Sequence, residues 1–130
     1  MSTEEIIEYY AETTNSDVRA DLLLATSLIE INKIAIDCGC GSGSDIASFR
    51  KAGFIVHAFD VEDESIKICK ERFNDDEHVF LSQDSFGSYE YPTSGLVVAD
   101  ASLFFCPEDE FDIAWKKISQ SLCDGGIFCG

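Results

Sequence analysis

The chain has 130 residues, 45% hydrophobic and 12% aromatic, enough to bury one core and too few for two. Twenty-five acids against nine bases give a formal net charge of −16, which repels polyphosphate chains and anionic head groups, so nucleic acid and a charged membrane surface are excluded as partners. No apolar run reaches the length of a membrane span, and Met1 to Glu8 carries three acids where a leader would be basic, so the expectation is a soluble, cytoplasmic domain.

In chain order, the polar stretch Thr3 to Ala11 predicts a first helix, and Val18, Leu22, Ala25 and Ile29 fall on one face of a second that starts at Asp17. These N-terminal helices occupy residues 1–31, and a βα core follows over 32–130 as part of the same single domain. The run Ile34 to Ile36 reads as a buried strand, followed by a glycine loop and a helix from Ser44 to Ala52 that Gly53 closes. Phe54 to Phe59 is the next strand. The helix after it has Glu62, Asp63 and Glu64 in its first turn, favourable to the helix dipole, and turns Ile66, Cys69 and Phe73 inward.

Val79 to Leu81 predicts a third strand and Leu96 to Ala99 a fourth. Phe111, Ala114, Trp115, Ile118 and Leu122 mark the inner face of a last helix, and Asp124-Gly125-Gly126 turns into the strand Ile127 to Cys129. Continuous apolar strands alternating with helices predict an α/β fold: a doubly wound, mostly parallel sheet covered on both faces. The six cysteines have no repeated ligand spacing and no sign of secretion, so they are read as reduced structural thiols, with no metal site.

In such a sheet a ligand sits beyond the carboxyl ends of the strands, where the winding reverses. The first βα loop, Asp37-Cys38-Gly39-Cys40-Gly41-Ser42-Gly43, lies at such an end, and its alternate glycines allow backbone to approach a ligand closely. A dinucleotide fingerprint needs G-x-G-x-x-G, and here the third glycine comes one place early. A carboxylate leading into the loop also repels a pyrophosphate and attracts a cation, which makes a nicotinamide-dependent oxidoreductase the weaker reading.

The sequence resembles the class I S-adenosylmethionine-dependent methyltransferases. The resemblance rests on Ile36-Asp37-Cys38-Gly39-Cys40-Gly41-Ser42-Gly43, on Phe59-Asp60-Val61, on Gln83-Asp84-Ser85-Phe86, on Val98-Ala99-Asp100-Ala101-Ser102-Leu103-Phe104-Phe105 and on Leu122-Cys123-Asp124-Gly125-Gly126. Within that family it is most similar to the small enzymes of tellurite-resistance and ubiquinone-biosynthesis type, which act on small molecules. The resemblance implies a Rossmann-like methyltransferase fold, S-adenosylmethionine as cofactor, S-adenosylhomocysteine as product and a small-molecule methyl acceptor.

It also implies roles. Cys38, Gly39, Gly41 and Gly43 would lie along the methionine and ribose part, with Asp37 favouring the positively charged end. Asp60, 23 residues after Asp37, would accept from both ribose hydroxyls; a helix-start acid is the plainer alternative. Val61 would wall the adenine, Asp84 would accept from its exocyclic amine, and the Ser85 or Phe86 backbone would meet the ring edge, although an Asx turn accounts for Asp84 equally well. Ala99 and Asp100 would stand near the transferable methyl group, Asp100 as the one catalytic candidate and otherwise a solvated strand-end acid. Tyr10 would fold over the cofactor or else simply occupy a helix face. Tyr89, Tyr91, Phe104 and Phe105 would line an acceptor pocket or belong to the core. Trp115 is assigned to packing and Cys40 has no nucleophilic role.

The family fold has seven strands and this chain stops in the fifth. The expectation is therefore either a fragment or a chain that dimerises through the exposed fifth-strand edge, and three functional readings follow in order: a working small-molecule methyltransferase, a non-catalytic cofactor-binding module or truncated pseudoenzyme, and a nicotinamide-dependent oxidoreductase.

Overall fold

The computed structural model describes residues 20–99 and 106–130. The expected first helix, Tyr10, Val18 and Asp100 to Phe105 lie outside the described residues. Helix α1 is Ala20–Leu28; strand β1, Ile34–Cys38, leads through the glycine loop to α2, Ser44–Lys51. Then come β2, Ile55–Asp60, α3, Asp63–Arg72, and β3, Val79–Gln83. Strand β4 is Ser94–Val98, α4 is Glu108–Ser121 and β5 is Leu122–Cys129.

The five strands form one sheet in the order β3-β2-β1-β4-β5, and every neighbouring pair is parallel. After β1 the chain winds outward through β2 and β3, then crosses back to β4 on the other side of β1. The reversal therefore lies between β1 and β4, and the crevice at their carboxyl ends is where the doubly wound arrangement admits a ligand. The central strands β1 and β4 are buried almost throughout, as their apolar runs require, while the edge strands β3 and β5 are only partly covered, with Phe80 of β3 half exposed. On one face Leu22 and Ala25 of α1 with Ile29 just beyond it, Ile46 and Phe49 of α2 and Ile66 and Cys69 of α3 pack on Ala35, Val56, Ala58, Leu96 and Val98. On the other, Ala114 and Ile118 of α4, with Phe86 and Tyr89 of the β3–β4 connection, cover Ile36, Cys38, Phe59, Val97 and Ala99. Phe49, Phe54 and Phe59 are the largest fully buried side chains, each stabilising the fold by about 1.5–3 kcal/mol through burial alone.

The structure corrects the sequence reading in the last third. Leu122 does not continue the helix; it opens β5, and Ser121 takes the buried position. Asp124-Gly125-Gly126 is not a turn before the strand but an irregularity within it: Ser94 pairs with Leu122 and Leu96 with Ile127, so the register shifts between them. Left-handed Gly125, with φ of 81°, absorbs the extra length. Phe111 and Trp115, expected on the inner face of the helix, are 41% and 44% exposed, and Trp115 instead meets Phe128 of the edge strand edge-to-face, ring centroids 5.1 Å apart. Among the described residues no helix is long and apolar enough to cross a membrane.

Candidate functional site

Three carboxylates stand at the carboxyl ends of three adjacent strands. Asp37 of β1 is level with Ala58 of β2 and Val98 of β4. Asp60 closes β2, level with Gln83, and Asp84 follows β3, where its amide donates to the Asp60 carbonyl at 3.1 Å. Asp37 and Asp60 are buried, 3% and 8% exposed. Buried acids cost free energy unless hydrogen-bonded, and Asp60 is held on both sides: Gly41 N–H donates to Oδ2 and Glu62 N–H to Oδ1, each at 3.0 Å. A carboxylate has about four lone-pair sites, so these two bonds leave Asp60 able to accept further donors from a ligand.

The loop between β1 and α2 owes its path to glycine. Gly39, Gly41 and Gly43 have φ of 72°, 56° and 89°, in the left-handed region that side chains disfavour. At Gly43 there is a second reason: a methyl group there would lie 2.7 Å from Phe73 Cε2 and 3.2 Å from Cys69 Sγ. The loop is tied to its neighbours by backbone and side chain. Gly39 N–H and Cys40 N–H both donate to the Phe59 carbonyl, at 2.8 and 3.1 Å. From α3, the Ser65 hydroxyl and Cys69 thiol donate to the Gly41 carbonyl at 2.6 and 3.3 Å, and the Arg72 guanidinium donates to the Ser42 carbonyl at 3.0 Å.

Ser65, Cys69 and Arg72 had no place in the sequence reading of the site. Their spacing, four and then three residues, puts them on one helix face, which was the available signal; their partners are carbonyls 24 to 30 residues away, which no local pattern shows.

At the β3 end, Asp84 accepts from the Ser82 hydroxyl through Oδ2 and from the Ser88 hydroxyl at 3.0 Å through Oδ1. Ser85 N–H donates to Ser88 Oγ at 2.9 Å and its hydroxyl to Glu110 of α4 at 2.9 Å. Next to it Phe86 is buried edge-on against Phe59, while Val61, the residue after Asp60, is 58% exposed. Tyr89 stacks on Phe59 with centroids 4.3 Å apart, and Tyr91 meets both rings edge-to-face and donates its hydroxyl to the Phe86 carbonyl at 2.9 Å. Burial, first of all, pushes both phenols well above the usual tyrosine range. Tyr89 belongs to the core, and Tyr91, half-buried, packs against it.

Cys38 and Ala99 are also in that core, 0% and 1% exposed. What they can offer a ligand is backbone. Burial and then the neighbouring Asp37 push the Cys38 thiol up. All six cysteines are free. The structure thus brings Asp37, Cys38, Gly39, Gly41, Gly43, Asp60, Val61, Asp84, Ser85, Phe86 and Ala99 to one end of the sheet. Chemically, this end combines a close-approach backbone loop, a buried acceptor for hydroxyl donors and a negative field that favours a cation over a polyphosphate.

Residues 35–126 match the model of a family described as a methyltransferase domain. Among solved structures, a TehB-like SAM-dependent methyltransferase from Corynebacterium glutamicum superposes with a TM-score of 0.79 at 19% identity, over 96% of this chain and 69% of that one. TehB from Haemophilus influenzae gives 0.74 at 16% identity, over 93% and 43%. The glycopeptide N-methyltransferase MtfA, complexed with S-adenosyl-L-methionine, gives 0.72 at 17% identity, over 88% and 54%. At such identities these likenesses show the fold, and the chain spans from 43% to 69% of their lengths.

Proposed function

Because this chain belongs to the methyltransferase domain family, we propose that it binds S-adenosylmethionine at the carboxyl ends of β1, β2 and β3 and transfers its methyl group to a small-molecule acceptor. The observation that carries the reading is Asp60: a buried carboxylate, fixed by two backbone amides, one of them from the glycine loop, with accepting capacity left over. A ribose diol is the ligand group that such an acceptor fits.

The remaining residues fit the other parts of the same cofactor. Gly39, Gly41 and Gly43, with the Cys38 and Ala99 backbone, would cradle the amino-acid and ribose portion, and the Asp37 carboxylate would favour its cationic end. Val61 would lie against the adenine, Asp84 would accept from the exocyclic amine, and Ser85 and Phe86 would supply backbone at the ring edge. Tyr10 as a cover and Asp100 as a group near the methyl acceptor enter on the resemblance alone.

When bound, the cofactor supplies an already activated sulfonium methyl group. The chain's contribution is alignment and exclusion of water: tethers from Ser65, Cys69 and Arg72 hold the glycine loop, so little reorganisation is left to the moment of reaction. A proton acceptor is needed only for acceptors that react after losing a proton, and Asp100 is the residue assigned to it.

We place the protein in the cytoplasm, and β5, the strand at the sheet edge, is the surface through which it would pair with a second copy. Sedimentation equilibrium tests that pairing.

The test of function is S-adenosylhomocysteine release, measured over panels of small thiols, amines, phenols and carboxylates. The expected result is release that depends on one class of acceptor and is lost in Asp60→Ala. Tight S-adenosylhomocysteine binding with no release on any panel favours the non-catalytic binding module instead.

A further inference from the structure

Cys40, in the middle of the glycine loop, and Cys69, on α3, are 29 residues apart in sequence, yet their sulfurs stand 3.9 Å from each other. Both are buried, 7% and 0% exposed, and Ser65 Oγ lies 3.6 Å from Cys40 Sγ. The site described above uses neither sulfur for chemistry. We propose that Cys40 and Cys69 form a modification site, closing to an intramolecular disulfide under hydrogen peroxide and reopening under a dithiol, and that closure unseats the glycine loop. The disulfide stands on this geometry; its effect on ligand affinity rests on the cofactor reading above.

The two thiols are chemically unequal. The hydrogen bond from Cys40 lowers the Cys69 thiol, opposed by burial and by the Asp60 charge and helped by Arg72, while the same bond and burial push the Cys40 thiol up. We assign Cys69 as the attacking sulfur and Cys40 as the resolving one; because Cys69 is fully buried beneath the glycine loop, peroxide reaches it only when that loop shifts. The Cys69 thiolate attacks one peroxide oxygen and the O–O bond breaks, giving a sulfenic acid and a hydroxide that leaves as water with the Cys69 proton. Cys40 sulfur then attacks Cys69 Sγ, the S–S bond forms and the S–O bond breaks, and the second hydroxide leaves as water with the Cys40 proton. Two thiols are oxidised and one peroxide is reduced to two waters.

A disulfide needs its sulfurs about 2.05 Å apart, so the pair must close by about 1.9 Å from the observed 3.9 Å. Cys69 is fixed within α3, so the loop around Cys40 is the side that must give, and closure has to strain the hydrogen bonds that tether it. Closure removes the thiol proton that Cys69 donates to the Gly41 carbonyl, and Gly41 N–H is the donor that fixes Asp60 Oδ2. Oxidation of the pair therefore disturbs the acceptor on which the ribose assignment depends.

The test treats the full chain with equimolar hydrogen peroxide, alkylates the remaining thiols under denaturant and maps the peptides by mass spectrometry. The expected result is a Cys40–Cys69 cross-linked peptide with the other four of the six cysteines alkylated, S-adenosylhomocysteine affinity lowered at least ~10-fold, and both changes reversed by dithiothreitol. Cys69→Ser and Cys40→Ala, each checked for folding by circular dichroism, should give no cross-link and a binding constant indifferent to peroxide. Cross-links to other cysteines, or oxidation to sulfinic acid without a Cys40–Cys69 bond, overturn the proposal. A cross-link with unchanged affinity overturns the coupling to the site. If the reduced wild type does not bind S-adenosylhomocysteine at all, the cofactor reading fails, and the peptide map alone decides the disulfide.

Discussion

Replacing Gly43 by alanine separates two reasons for a glycine that usually arrive together. The backbone reason is its φ of 89°, which an L-residue adopts at a cost of about 1–2 kcal/mol. The packing reason is the ring of Phe73, 2.7 Å from where the new methyl would sit, whose displacement adds about 1–2 kcal/mol. Gly53 is the internal control, since it has the same φ of 89° with nothing within 4 Å of the added methyl. Gly43→Ala should therefore destabilise by about 2–4 kcal/mol and Gly53→Ala by about 1–2 kcal/mol. In urea unfolding this appears as a midpoint about 1–2 M lower for the first, with unchanged slope. Truncating the obstacle with Phe73→Ala should bring the Gly43→Ala penalty down to that of Gly53→Ala, a coupling that a double-mutant cycle reads directly. Equal penalties at the two glycines in the wild-type background would refute the claim that α3 packs the loop into place.

Asp60→Asn keeps the shape but turns an amino group toward the Gly41 or Glu62 N–H, so folding stability should fall by about 1–3 kcal/mol in the same assay. His57, stacked on Phe80 with centroids 4.8 Å apart, has its pKa lowered by burial. The unfolded chain then binds the proton more readily, so stability is complete above the unfolded pKa near 6.5 and is lost as pH falls through it toward the lower folded value. His57→Phe should flatten stability between about pH 7 and 5, as urea midpoints across that range would show; an unchanged slope would discard the assignment. Tyr89 and Tyr91 should stay protonated until alkali unfolds the chain, so ultraviolet titration should show their ionisation coinciding with loss of circular dichroism, whereas earlier ionisation would mean the aromatic cluster is open.

The positions of α2, α3 and β1 to β4 were legible because each is written locally. Apolar runs give buried parallel strands, helical spacing places Ile66 and Cys69 inward, and the alternate glycines of residues 39–43 mark backbone no other residue adopts easily. What was not legible depends on partners distant in sequence. Asp124-Gly125-Gly126 has the composition of a turn, but parallel pairing to β4 resumes on its far side and holds it inside β5. Phe111 and Trp115 keep helical spacing with Ala114 and Ile118, yet the width of the face that β4 and β5 can cover is a tertiary quantity, and it leaves both near half exposed. The two tyrosines after β3 are apolar enough for a pocket or a core; stacking on Phe59 places Tyr89 in the core and leaves Tyr91 half-buried at its margin. In the site, strand-end acids and glycines were visible, while the tethers from Ser65, Cys69 and Arg72 were not, since a carbonyl acceptor leaves no mark in the sequence.

Titration calorimetry of S-adenosylhomocysteine and, separately, NADH into the wild type and Asp60→Asn addresses the central claim most directly. Saturable binding of S-adenosylhomocysteine, weakened at least ~10-fold by the substitution in folded protein, is expected, with no heat from NADH. Binding of NADH in its place, or S-adenosylhomocysteine binding indifferent to Asp60, would contradict it.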